Sequence, residues 1–296
     1  MSFVSRLKRI FGREARLGLA LGSGGARGLA HIGVLNVLKE AGIPIHCIVG
    51  TSAGALIGGL YSAGNTPQAL EELFGDISIS EMARLFLPSL SRGGLIDGKR
   101  VKRFIEPYTR EKTIEELSPK FACVATDLYS GKRVVLRRGN LLESIRASIS
   151  IPGVFTPVIC GDRILVDGGV VDPLPVGLAF EMGATFVIAV RVNRQDTSGR
   201  SGDSLNECIL QGHESKESKK EKKGLTPSVL EIILSTTSIY ERRLSELNIG
   251  KPGKQMIIEP ALEGIEILDL HKGRQAIDAG AQAMRKRLPE IGRRLA

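Results

Sequence analysis

The stretch CIVGTSAGALIGG, Cys47 to Gly59, constrains the fold of this chain more than any other part of its sequence. Ile45 to Val49 reads as a short buried strand, Gly50-Thr51-Ser52-Ala53-Gly54 as a turn, and Ala55 to Ala63 as a helix of small residues. A strand that runs through a tight turn straight into a helix is the unit from which layered α/β folds are built. The serine at the centre of G-x-S-x-G fits a nucleophile elbow, in which the hydroxyl projects clear of the backbone. Gly50 and Gly54 then remove side chains that would strike the neighbouring strand and helix, and the helix N-terminus below Ser52 favours developing negative charge. The pentapeptide alone also fits a plain turn in a chain with 35 glycines, so its surroundings must decide.

Those surroundings alternate strand and helix. "LGLAL" from Leu17 is a strand, a glycine-rich turn covers 22–28, and a helix is expected from Leu29 to Ala41. Thr66 and Pro67 supply the N-cap and first position of a helix through "QALEELF", and Asp97 is expected to cap another through Arg103 and Phe104. "KFACVATDL" and "KRVVLRRG" form a hairpin around "YSGK". A helix at 141–148, the strand "RILVD", a helix at 176–182 and the strand "ATFVIAVRV" follow. Beyond them come a long helix from Pro227 to Leu247, the strand "QMIIEP" and a last helix from Gly273 to Arg287, stopped by Pro289. The pattern predicts an α/β fold with a mostly parallel central sheet and helices on both faces. Residues 1–15 form a basic amphipathic helix, 16–193 the core, 194–224 a polar insertion, and 225–296 a helix-strand-helix that completes the same domain.

A formal net charge of +9 favours polyanionic partners. With no tryptophan, four tyrosines and no nucleic-acid motif, stacking platforms are scarce, so an anionic membrane surface is expected rather than nucleic acid. Phe3, Leu7, Ile10 and Phe11 would meet the lipid, with Arg6, Lys8 and Arg9 beside them; a helix docked on its own domain fits the same pattern. No apolar run reaches the roughly 20 residues of a membrane span, and no signal peptide is visible. A cytoplasmic chain, peripheral at the inner membrane face, is the expectation. Cys47, Cys123, Cys160 and Cys208 form no C-x-x-C pair and read as reduced core thiols rather than zinc ligands.

Acyl transfer by serine needs a nucleophile, a proton acceptor and donors for an oxyanion. The turn GSGGARG, Gly22 to Gly28, offers unencumbered backbone N–H groups, and Arg27 would add charge or anchor the loop. A dinucleotide fingerprint fails there because its third glycine position holds Arg27, and no Gly-Lys-Ser/Thr makes a phosphate loop. For the acceptor, His213 lies in the polar insertion and His271 in an ordinary "DLHKGR", while His31 and His46 precede the serine. Asp167, ending the strand "RILVD" ahead of two glycines, is the candidate; a capping aspartate fits the same place, and Asp172 beside Pro173 is a weaker alternative.

"GSGGARG", "GTSAG", "ASISIPGVFTPV" and "DGG", in that order, resemble the patatin-like phospholipases, serine lipid acyl hydrolases that use a Ser–Asp dyad. The resemblance runs from about Leu17 to Val192 and resumes in "QMIIEPAL" and the last helix. It implies Ser52 as nucleophile, Asp167 as base, and Gly24, Gly25 and Ala26 as the oxyanion-hole segment. Gly22, Arg27, Gly28, Gly50, Gly54, Gly168 and Gly169 would support them. It also implies a phospholipid or other acyl-lipid substrate, ester cleavage through an acyl-enzyme, and no metal or organic cofactor. The basic N-terminal helix and the 194–224 insertion are less typical of that family. A membrane-associated regulatory or scaffold protein, binding lipid without turnover, is the alternative on the same fold.

Overall fold

The computed structural model describes residues 16–85, 96, 98–193, 227–247 and 253–294. The expected basic N-terminal helix at 1–15, the expected insertion at 194–224, Asp97, Cys208 and His213 lie outside the described residues.

Eight strands form one sheet: β1 Leu17–Leu21, β2 Cys47–Thr51, β3 Lys120–Asp127, β4 Arg133–Leu136, β5 Val158–Cys160, β6 Arg163–Asp167, β7 Phe186–Val190 and β8 Gln255–Ile258. The hydrogen-bonded order is β5-β6-β3-β2-β1-β7-β8, with β4 paired to β3. The run β3-β2-β1-β7-β8 is parallel throughout, while β4, β5 and β6 attach by antiparallel pairs. The expected mostly parallel sheet is therefore present, with an antiparallel end carrying the predicted β3–β4 hairpin.

Period-two alternation assigns the two faces. Leu19 and Leu21 of β1, Ile48 of β2, and Ile188 and Val190 of β7 enter one buried cluster; Ala20, Cys47, Val49, Val187 and Ala189 enter another on the opposite face. The first cluster is covered by α1 Ala30–Glu40, α2 Ala53–Ser62 and α9 Gly273–Arg294, and the second by α7 Val176–Glu181. The remaining helices are α3 Pro67–Phe74, α4 Ile79–Leu85, α5 Lys99–Thr109, α6 Leu141–Ser148 and α8 Val229–Leu247. Thr66 caps α3 as expected, its hydroxyl accepting the Ala69 N–H at 3.1 Å ahead of Pro67 in the first turn.

Some boundaries differ. β2 extends two residues past Val49 to Thr51, because Gly50 and Thr51 still pair with Cys123 and Val124 of β3. The N-cap position of α5 is Gly98, with φ of 74°. Pro289 does not stop the last helix, which continues to Arg294. Ile291 is as fully buried as Met284, two turns before it, so core packing holds the turns that proline would otherwise release. Cys47 and Cys123 are buried free thiols, whereas Cys160 is exposed on the short edge strand β5 and is no core residue.

Candidate active site

The chain leaves β2 at Thr51 and enters α2 at Ala53, so Ser52 alone makes the turn. Its φ of 54° and ψ of −119° are strained for a residue with a Cβ, as a nucleophile elbow requires. A Cβ on Gly54 would lie 2.1 Å from the Leu21 carbonyl oxygen, and one on Gly50 2.4 Å from the Gly54 backbone. Only glycines at −2 and +2 let α2 close this tightly onto β1 and β2. The elbow is also bolted to β3: Ser148 at the end of α6 accepts the Ser52 N–H at 3.0 Å and donates to the Val124 carbonyl at 2.6 Å.

β3 explains why the second residue arrives where it does. Gly50 and Leu136 both pair with Cys123, so β2 and β4 occupy opposite edges of β3; Asp167 and Val134 both pair with Ala125, so β6 also lies opposite β4. Parallel β2 and antiparallel β6 thus share one edge of β3 and run at each other end to end. Thr51 pairs with Val124 and Asp167 with the next residue, Ala125. Both strands stop there. The Ser52 hydroxyl donates to Asp167 Oδ2 at 2.6 Å.

Asp167 is held from several sides. The Gly169 N–H donates to its Oδ1 at 2.7 Å, the Thr126 hydroxyl to its carbonyl at 2.8 Å, and its own N–H donates to the Ser150 carbonyl at 2.9 Å. Burial pushes its carboxyl up to about 7, although the Ser52 and Gly169 hydrogen bonds act in the opposite direction. An aspartate with that proton affinity can accept a hydroxyl proton at neutral pH. Its side chain does cap the turn that follows, as the simpler expectation held, and it does so while bonded to Ser52.

The other acceptors weighed from the sequence are elsewhere. Asp172 pairs with Arg133 at 3.2 Å, and its carbonyl accepts the Thr51 hydroxyl. His31 is buried in α1, where its Nε2 bonds the Gly22 carbonyl at 2.8 Å; burial lowers it to about 4, so it is a neutral pin for the glycine turn. His46 is lowered by burial, with the Lys120 charge acting the same way, and His271 sits in an exposed turn.

The glycine turn bends into a single 3-10 turn, Gly25–Leu29, ahead of α1. Gly25 has φ of 59°, and a Cβ on it would lie 2.4 Å from the Ile267 carbonyl oxygen. That same oxygen accepts the Ala26 N–H at 2.8 Å. Ala26 therefore drops out as an oxyanion donor, because its hydrogen is engaged within the fold. Among the described residues the N–H groups of Gly24 and Gly25 have no such acceptor. Arg27 anchors the loop: it is buried, its Nε donates to the Ile265 carbonyl at 2.6 Å and its Nη2 meets Glu266 at 3.1 Å.

The family model for patatin-like phospholipase matches residues 19–180, a span that contains the glycine turn, the elbow and Asp167. The chain belongs to that family. An uncharacterised NTE family protein of Mycobacterium tuberculosis is 41% identical over 178 residues, 60% of this chain and 49% of that protein. A second from the same species is 31% identical over 291 residues, 97% of this chain and 48% of that protein. The mouse patatin-like phospholipase domain-containing protein 6 is 37% identical over 213 residues, 68% of this chain and 15% of that protein. This chain thus spans about half the length of its mycobacterial relatives. Distant likenesses also reach VipD from Legionella pneumophila, with a TM-score of 0.40 at 11% identity over 92% of this chain and 67% of that one.

In this patatin-like fold, sequence reasoning missed two walls of the site. A cavity of about 90 Å³ opens beside Ser52 and runs between the glycine turn, α2 and α5, lined by Leu29, Leu56, Ile57, Phe104, Phe155 and Ile267 among others. Among the described residues Ser52 is the sole polar side chain on it. A second side comes from α8, whose buried residues Leu234, Ser238, Glu241 and Ser245 fall on one helical face, Leu234 packing with Phe155 of the cavity and Glu241 reaching the Asp167 turn. Glu241 Oε2 accepts from Asn193 Nδ2 at 3.2 Å, and the Ser245 hydroxyl bonds Asn193 Oδ1 at 2.9 Å. The signal was available in the sequence as polar residues at helical spacing, opposite Val229, Ile232, Ile239 and Tyr240, which are exposed. Among the described residues no group of three or more His, Cys, Asp or Glu could hold a metal ion, and no helix is long and apolar enough to cross a membrane.

Proposed function

We propose that this chain is a lipid acyl hydrolase that cleaves carboxylic esters of phospholipids or similar lipids with Ser52 as nucleophile and Asp167 as base. The 2.6 Å hydrogen bond from Ser52 Oγ to Asp167 Oδ2, at the mouth of an apolar cavity, carries the reading. Membership of the patatin-like phospholipase family supports it.

In the proposed reaction the acyl chain lies in the cavity and its carbonyl carbon faces Ser52. Oγ attacks that carbon while its proton passes to Asp167 Oδ2, and the oxyanion is met by the N–H groups of Gly24 and Gly25 with help from the N-terminus of α2. Collapse of the tetrahedral intermediate expels the alcohol, which takes the proton from Asp167. Water then attacks the acyl-enzyme, Asp167 accepts its proton, and the fatty acid leaves with Ser52 restored. The proton affinity of Asp167 suits both directions of that transfer near neutral pH. Supply of substrate from an anionic membrane surface fits the formal charge of +9.

Labelling with a fluorophosphonate probe, followed by fatty-acid release from mixed anionic liposomes, tests this for wild type, Ser52→Ala and Asp167→Asn. Labelling and release confined to wild type support the dyad. A folded wild type that neither labels nor hydrolyses removes the proposal in favour of lipid binding without turnover.

A further inference from the structure

A buried carboxyl that the reaction above does not use stands behind its base. Glu241 projects inward from α8 with 8% of its surface exposed. The point that a Cβ on Gly169 would occupy lies 2.1 Å from Glu241 Oε1 and 3.1 Å from Asp167 Oδ1. The two carboxyl oxygens are therefore no further apart than the sum of those distances, and any side chain at 169 would separate them.

Among the described residues, the charged and titratable groups facing Glu241 are Asp167 at the end of β6 and Arg27 from the glycine turn. Its neutral partners are Asn193 Nδ2 at 3.2 Å and the Ser23 hydroxyl, with Ser245 bonded to both Asn193 and the Glu241 carbonyl. Burying one carboxylate is expensive, and burying a second at this separation adds repulsion that the low-dielectric interior does not screen. The pair can hold one negative charge far more cheaply than two. Which member keeps the proton follows from the contacts. Asp167 receives the Ser52 hydroxyl and the Gly169 N–H at 2.6 and 2.7 Å, whereas Glu241 receives the Ser23 hydroxyl and a longer contact from Asn193 Nδ2 at 3.2 Å and faces the charge of Asp167. Burial and the Asp167 charge raise Glu241 to about 8, above Asp167 at about 7.

We propose that Glu241 is a positioning residue of the active site that works as a neutral carboxylic acid. It backs the Gly169 turn that orients Asp167, and by keeping its proton while Asp167 is ionised it leaves the site with a single negative charge. That charge is the one which moves to the substrate oxyanion when Asp167 takes the proton of Ser52. Once Glu241 ionises, a second negative charge faces the developing oxyanion and the reaction slows. The pair titrates as a unit, its lower step switching activity on and its upper step switching it off.

This inference rests on the proposed hydrolase reaction, and the measurements separate the two. Hydrolysis of a short p-nitrophenyl ester is followed across about pH 5 to 10 for wild type, Ser52→Ala and Glu241→Gln, with kcat/KM as the readout. Wild-type hydrolysis that Ser52→Ala abolishes belongs to the reaction itself; its absence overturns the hydrolase reading. Given that activity, wild type should trace a bell. Glu241→Gln should keep the acid limb and lose the alkaline one, so its rate relative to wild type climbs about tenfold between pH 7 and pH 9, whatever its height. An unchanged alkaline limb in Glu241→Gln overturns the inference. Infrared titration of folded wild type asks the same question without a variant. Two buried carboxylic acids should ionise, one near pH 7 and one near pH 8; absence of the upper step overturns the inference whether or not the enzyme reading stands.

Discussion

Ser52 stands between two walls of opposite character. On one side the cavity offers Leu56, Ile57, Phe104 and Phe155 and, among the described residues, no polar side chain but the serine itself; on the other, Asp167, Glu241, Asn193 and Ser23 form a buried polar cluster. In the proposed reaction the first wall selects what can be cleaved and the second sets how the proton moves. The contrast is physical. Apolar burial is non-directional and adds up by area, so an acyl chain is recognised methylene by methylene. Buried carboxyls act through short contacts and desolvation, so a change of one atom alters the chemistry.

Breaking the polar wall should give the largest effect. Asp167→Asn removes the acceptor while keeping the shape, and ester hydrolysis should fall about ten-thousandfold for short and long acyl chains alike, measured as kcat/KM across a chain-length series. Unequal losses along that series would mean that the two walls are not separable. Next comes the glycine turn between them. Gly25→Val places a Cβ against the Ile267 carbonyl at a φ of 59° that valine resists, and displaces the donor segment. Turnover should drop about a hundredfold or more at unchanged secondary structure by circular dichroism.

The apolar wall should respond differently. Leu56→Trp fills the cavity, so long-chain esters should lose about tenfold relative to butyrate esters, with the acid limb of the pH profile unmoved. A shifted limb would place Leu56 in the proton chemistry and blur the contrast.

Stability sharpens the comparison from another direction. The folded state holds the protons of Asp167 and Glu241 more tightly than the unfolded chain, whose ordinary values are 3.8 and 4.5. Their contribution is fully present below about pH 4 and is lost as pH rises through about 7 and then about 8. Thermal melts should therefore show wild type losing stability across that window, with Asp167→Asn more stable than wild type by a few degrees at pH 8. No such gain should follow from apolar substitutions in the cavity. The smallest effect is expected at Asp172→Asn, which weakens a partly exposed pair with Arg133 and should change turnover by less than about twofold.

The sequence by itself determined the elements and the serine at the elbow, because both depend on neighbours a few residues away. The glycines at 50 and 54 announce a turn too tight for any other residue, period-two alternation announces the faces of β1, β2 and β7, and Thr66-Pro67 announces the start of α3. Asp167 is nameable as a candidate from the strand before it and the glycines after it, ahead of Asp172, yet residue pattern alone fits a capping aspartate at least as well. Only the tertiary structure brings Asp167, and not Asp172, into hydrogen-bond contact with Ser52. β2 and β6 come to share one edge of β3, and pairing of strands so far apart in the chain is fixed by packing of the whole sheet. The same holds for Ala26, whose N–H is taken by a carbonyl from the 267 segment, and for Pro289, carried through α9 by the burial of Ile291. Glu241 shares a helical face with Ser238 and Ser245, a spacing that marks a polar face but not a protonation state. Desolvation is a property of three-dimensional surroundings, so a glutamate becomes a buried acid only when Asp167, Asn193 and the Gly169 turn close around it.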